Sequence, residues 1–155
     1  MWSITKIFRF ETAHRISNYI GACRNIHGHS YQLQVSISRN NFNEDDMVMD
    51  FKDLKKIVQK NIIAHLDHVL LLKKNPENIA KYSQDNSPIL WMEYEPTAER
   101  ILDWIRLKLL QVLPNYVELK KLTLFETSTG FVEWENDFRN SFEDRQLSKE
   151  KWEIK

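Results

Sequence analysis

The chain has 155 residues, 42% of them hydrophobic, and Lys plus Arg and Asp plus Glu each total 22, giving a formal charge of zero. That length suits one domain with a core of its own, and the balanced charge shows none of the basic excess expected of a nucleic-acid or anionic-membrane partner, while it permits self-association. The single cysteine, Cys23, excludes an internal disulfide. No apolar run reaches the roughly 18 residues a membrane span needs, and MWSITKIFRFETAHR lacks the apolar stretch of a signal peptide, so a soluble cytoplasmic protein is expected.

Residues 2–14 read as a strand, with Trp2, Ile4, Phe8 and Phe10 apolar at even positions and Ser3, Thr5, Arg9 and Glu11 between them. His14 has the parity of the apolar face. In HSYQLQVSIS, His29, Tyr31, Leu33, Val35 and Ile37 alternate strictly with Ser30, Gln32, Gln34, Ser36 and Ser38, and His27 extends the same face. A hairpin-like antiparallel pairing of the two strands, joined by residues 15–26, brings His14, His27 and His29 together.

After the polar turn NNFNEDD, Asp50 caps an expected helix from about Phe51 to Ala64, with Leu54, Ile57, Val58 and Ile62 on one face, and HLDHVLLL follows its end. Residues 73–88 are polar, contain two prolines and read as a loop, after which ILWMEY reads as a short strand; the whole is an insertion or lid candidate. Pro96 and Thr97 open a second long helix that holds Ile101, Trp104, Ile105, Leu109 and Val112 inside and ends at Pro114. LKKLTLFE and GFVEW, turned at Ser128, Thr129 and Gly130, close the core as two strands. The order ββααββ, with one extra short strand before helix two, predicts an α+β domain over residues 1–136, an antiparallel four-stranded sheet covered by two helices. The charged tail, 137–155, is expected to be a surface helix or disordered.

Chemistry concentrates in CRNIHGHSY, where three of the chain's rarest residue types meet. HGH alone is as much a polar start to a strand as a metal motif, but His14 on the matching face supplies the third imidazole that a catalytic metal site with an open position requires. Cys23 is either an inert small side chain or a thiolate favoured by nearby positive charge. Asp67 and His68 either relay protons or simply end a helix, and without further context the helix end is preferred. His65, within the helix, is assigned no catalytic role. Glu126 shares parity with Leu122 and Leu124, so its carboxylate either grips the amino and ring N–H groups of a guanidine-like heterocycle or, as is commoner, pairs with a basic side chain. No H-E-x-x-H helix supports a zinc peptidase.

Taken together and in order, FETAHR, CRNIHGHSY, LDH, PTAE and FET resemble the 6-pyruvoyltetrahydropterin and 6-carboxytetrahydropterin synthase family over about residues 4–134. The resemblance implies the tunnelling fold, commonly a homohexamer of two trimers with active sites at subunit interfaces. It implies Zn2+ held by His14, His27 and His29, a catalytic triad of Cys23, Asp67 and His68, a pterin anchor at Glu126, and Thr97 near the pterin pocket. The short spacing from Cys23 to His27 is similar to the bacterial carboxytetrahydropterin branch. That branch converts 7,8-dihydroneopterin triphosphate to 6-carboxytetrahydropterin, acetaldehyde and triphosphate, toward queuosine. The alternatives are the pyruvoyl-forming sister activity and a non-catalytic pterin- or zinc-binding oligomer. Thr12, Arg100, the long stretch between His68 and Pro96 and the tail depart from the family's usual pattern.

Overall fold

The computed structural model describes residues 1–84 and 86–136; the expected tail, 137–155, lies outside the described residues. Strand β1 (Trp2–His14) pairs antiparallel with β2 (His27–Arg39) along its whole length, from Trp2 opposite Arg39 to His14 opposite His27. The alternating pattern explains the pairing: Phe8, Phe10, Tyr31, Leu33, Val35 and Ile37 all turn to one face and are buried there. Phe10 and Tyr31 stack with ring centroids 5.3 Å apart.

Asp50 caps α1 (Phe51–Val58), its carboxylate accepting from the Lys52 N–H at 2.7 Å. The helix continues through a π-helical turn, Gln59–Ile63, into the short α2 (Ala64–Leu66). Leu54, Val58, Ile62 and Leu66 are fully buried against the sheet. The second long helix, α4 (Ala98–Val112), starts at its cap Thr97 and buries Ile101, Leu102, Ile105 and Leu109; Trp104 and Val112 pack at its margin. Strands β5 (Glu118–Phe125) and β6 (Phe131–Glu135) follow as read from the sequence.

Two features of the expected fold are corrected. The sheet has six strands in the order β4-β3-β1-β2-β5-β6, because β3 (Val69–Lys73) and β4 (Ile89–Met92) extend it beyond β1 in parallel. The four antiparallel strands are therefore part of a mixed sheet. VLLLK carries a continuous apolar run with no alternation, as strands buried on both faces do, and such a run cannot be told from the end of a helix by period. The expected loop 73–88 also contains α3 (Pro76–Tyr82), capped by Asn75, whose side chain accepts from the Asn78 N–H at 2.8 Å. Its sequence cue, Asn then Pro at the first helical position, was legible but short. Among the described residues, no helix is long and apolar enough to cross a membrane.

Thr12 locks this extension to β1. Its buried hydroxyl lies 2.6 Å from the Leu66 carbonyl and 2.8 Å from the Val69 carbonyl, between the end of α2 and the start of β3. Thr12→Val keeps the shape and deletes the hydroxyl, whose single proton the two carbonyls share, and is expected to lower stability by about 1–3 kcal/mol in urea unfolding. A midpoint equal to that of the parent contradicts the lock.

Candidate metal centre and its surroundings

The β1–β2 register puts His14 directly opposite His27, and His29 two pairs inward opposite Thr12, all on the face that carries the core. The three imidazoles offer ligand atoms that lie within 4.8 Å of one another. Gly28 stands between two of them, and a Cβ there would come within 3.2 Å of the Thr12 carbonyl oxygen, so the close approach of β2 to β1 favours glycine.

Backbone carbonyls fix the rings. His14 Nδ1 is 2.6 Å from the Pro96 oxygen and His27 Nδ1 is 2.8 Å from the Asn25 oxygen, so in each ring Nδ1–H donates and Nε2 is left as the lone pair. His14 is 1% exposed. Burial holds its pKa below the ordinary value of 6.5, against the opposing effect of the Pro96 carbonyl, which keeps the ring neutral at neutral pH. The contact of His14 Nε2 with Glu126 Oε1 at 3.6 Å is accordingly not an ion pair there. His29 Nε2 also lies 3.8 Å from the same oxygen.

The Nε2 atoms of His14 and His29 are buried without a hydrogen-bond partner. A neutral imidazole lone pair and a carboxylate oxygen facing each other repel unless a cation or a proton stands between them. The donor set therefore fits a metal ion held by His14, His27 and His29. Tyr31 donates to Glu126 Oε1 at 3.0 Å; burial and the neighbouring carboxylate push its phenol pKa well up, so it stays a donor.

The remaining expected site residues are placed as follows. Thr97 caps α4, its hydroxyl accepting from the Arg100 N–H at 3.4 Å, immediately after the carbonyl that orients His14. Cys23 sits half-buried in a one-turn 3-10 helix, Ala22–Arg24, four residues before His27. Asp67 and His68 form a clamp on β1: the Asp67 carboxylate accepts from the Glu11 N–H at 2.8 Å, and the His68 N–H donates to the Glu11 carbonyl at 2.6 Å. His68 adopts φ +60°, the left-handed turn that carries the chain from α2 into β3, and its Nδ1 lies 3.1 Å from Asp67 Oδ2. His68 lines a cavity of about 500 Å³ with Glu11, Ser30, Ile26 and Pro88, and His29 borders the same cavity. Glu11 and Ser30 form a register pair that alternates to the face away from the imidazoles. Among the described residues, no hydrogen bond or ion pair joins Cys23 to Asp67 or His68. His65 is exposed, away from the cluster, with its ring 6.4 Å from Trp104.

Sequence reasoning did not find the polar cluster behind the Cys23 turn. Arg15, Asn78 and Ser17 are buried, and the Glu95 carboxylate accepts from the Ser17 N–H at 2.8 Å. Two of the Arg15 partners, Glu77 and Asn78, lie 62 and 63 residues further along the chain, so no local pattern marks the cluster.

An α+β domain whose longest strand pair carries three converging imidazoles, with a carboxylate aimed among them, defines a class of protein with a candidate three-histidine metal site. The family model for 6-pyruvoyl tetrahydropterin synthase matches residues 3–137, and the chain belongs to that family. It is similar to the 6-carboxy-5,6,7,8-tetrahydropterin synthase of Haemophilus influenzae, at 35% identity over 87% of this chain and 99% of the relative. The enzyme of the same name from Aquifex aeolicus is 32% identical over 88% of this chain and 99% of its own length. The fold is shared with the Caenorhabditis elegans 6-pyruvoyl tetrahydropterin synthase, at TM-score 0.66 and 21% identity, covering 88% of this chain and 96% of that one.

Two outcomes are expected. Substituting alanine for His14, His27 or His29 reduces bound metal from one per chain to a small fraction, read by elemental analysis after dialysis; full retention in all three variants contradicts the assignment. The hydrogen bond from the Glu11 N–H, with that to His68, holds the Asp67 carboxyl below its ordinary value of 3.8. A depressed folded pKa stabilises the fold above the ordinary value, and this stabilisation is lost as pH falls through the folded pKa. Carboxyl-carbon NMR of Asp67 is expected to give a midpoint under 3.8, and a midpoint above it argues against the clamp.

Proposed function

We propose that this chain is a zinc-dependent 6-carboxy-5,6,7,8-tetrahydropterin synthase, a pterin side-chain lyase acting on 7,8-dihydroneopterin triphosphate and releasing acetaldehyde and triphosphate on the route to queuosine. The observation that carries the reading is the convergence of the orphaned His14 and His29 Nε2 atoms with Glu126 Oε1, and the names of the bacterial relatives support it. The short Cys23-to-His27 spacing favours the carboxy branch over the pyruvoyl-forming one.

In this reading His14, His27 and His29 would hold a zinc ion, and its charge would supply polarisation of the substrate's side-chain oxygens and acidify the neighbouring C–H bonds. Glu126 binds the amino and ring N–H edge of the pterin, with Tyr31 orienting its carboxylate; this fixes the ring so that the side chain reaches the imidazole cluster. Cys23 takes and returns protons beside that cluster, and Thr97 fixes the backbone that orients His14. Asp67 and His68 share the relay. Their printed contacts go to Glu11 and to each other and none reaches Cys23, which favours a relay completed between subunits, as in a homohexamer with interfacial active sites, over one closed within a single chain.

Mass spectrometry of the products from 7,8-dihydroneopterin triphosphate and zinc-loaded protein is expected to show 6-carboxytetrahydropterin with acetaldehyde. A pyruvoyl product moves the chain to the sister activity, and no turnover by folded, zinc-replete protein overturns the catalytic reading in favour of a binding module. Cys23→Ala is expected to reduce turnover by about 10²–10⁴-fold while leaving the zinc content at one per chain; turnover near the parent value removes the thiol from the mechanism.

A further inference from the structure

Arg15 is a buried cation, 5% exposed, and each of its three guanidinium nitrogens has an acceptor. Nε donates to the Arg24 carbonyl at 2.9 Å, one terminal nitrogen to Asn78 Oδ1 at 2.8 Å, and the other to Glu77 Oε1 at 2.9 Å. A guanidinium so enclosed is not available to a substrate phosphate. What it does instead follows from the first contact. The Arg24 carbonyl belongs to the residue after Cys23, and the Cys23 carbonyl itself accepts from the Ile16 N–H at 3.0 Å. The two successive carbonyls at the thiol's position are thus tied to the two residues that follow His14.

The far side of the fork is equally anchored. Asn78 is fully buried at the start of α3 and donates from its amide to Ser17 Oγ at 3.0 Å and to the Lys73 carbonyl at 2.9 Å. Glu77 is paired with Arg15, and the hydrogen bond and charge of the guanidinium hold its carboxyl below the ordinary glutamate value. The segment that lengthens the chain between His68 and Pro96 therefore reaches back to the turn that bears Cys23.

We infer that Arg15 is a positioning residue for Cys23: the fork carries the rigidity of β3 and α3, through Asn78 and Glu77, to the carbonyl of Arg24, the residue bonded to Cys23, and so sets where the thiol stands. The inference rests on the reading of Cys23 as a proton-transfer group. Arg and Lys are not interchangeable here, because a lysine ammonium cannot span three acceptors set in a planar fork. Proton transfer is sensitive to displacements of about 1 Å, whereas binding by the imidazoles and Glu126 is not made through this turn.

The test uses the full-length, zinc-loaded protein and the variants Arg15→Lys and Glu77→Ala, the latter on a side chain that is 60% exposed and so compatible with folding. Four quantities are read: kcat, KM, zinc per chain and the rate at which iodoacetamide alkylates Cys23, the only thiol. Arg15→Lys is expected to lower kcat about tenfold or more with KM within about twofold, to keep one zinc, and to change the alkylation rate at least threefold; Glu77→Ala moves kcat and alkylation in the same direction by less. Alkylation and kcat within twofold of the parent in both variants overturn the inference, as does a fall in kcat that tracks lost zinc with alkylation unchanged. Altered alkylation with unchanged kcat sustains the positioning contact and overturns the role given to the thiol, and Cys23→Ala with parental turnover does the same from the other side. If Arg15→Lys does not fold, Glu77→Ala decides by the same criteria.

Discussion

Everything at this site depends on the register of β1 against β2. Side chains on a strand alternate with period two, so sliding β2 by one residue would turn His27 and His29 to the face away from His14 and leave Gly28 or Ile26 opposite it. What forbids the slip lies away from the metal centre: Tyr31, Leu33, Val35 and Ile37 would leave the core together. At about 1.5–3 kcal/mol for each large side chain fully buried, that cost opposes the slip whether or not a metal is bound. The hydrophobic core thus sets the site's geometry, and the histidines take positions the core has already determined.

A second tier of contacts refines what the register places. The Pro96 and Asn25 carbonyls select the tautomers of His14 and His27, and Tyr31 holds the Glu126 carboxylate toward the imidazoles. On the far side of β1, Thr12 and the Asp67–His68 clamp attach α2 and β3, while Arg15 and Asn78 attach α3 to the Cys23 turn. The polar groups in each tier find their partners within the protein, apart from the Nε2 atoms of His14 and His29 and one Glu95 oxygen among the described residues. Two of those three atoms face the proposed metal position.

How much of this the sequence carries depends on the period of each segment. The alternation of β1 and β2 is long and uninterrupted, and it revealed the strands, their inward face and the three histidines at once. Asp50 and Thr97 stand as caps where their side chains and the following periodicity place them. Strand β3 was hidden because a strand covered on both faces has no alternation, and α3 because seven residues are too few to show a helical stripe. The role of Arg15 has no local signature at all: its acceptors come from a turn nine residues on and a helix more than sixty residues on, so only folding brings them together. The pairing of Glu126 with Tyr31 was likewise invisible, since the two stand 95 positions apart and nothing between them marks it.

X-ray absorption at the zinc edge of the metal-loaded protein tests most directly whether the β1–β2 register builds the centre. Three imidazole nitrogens at about 2.0–2.1 Å, lost stepwise in the alanine variants of His14, His27 and His29, are the expected result. Sulfur scattering at about 2.3 Å, which would make Cys23 a ligand, or a shell with fewer than two imidazoles would contradict it.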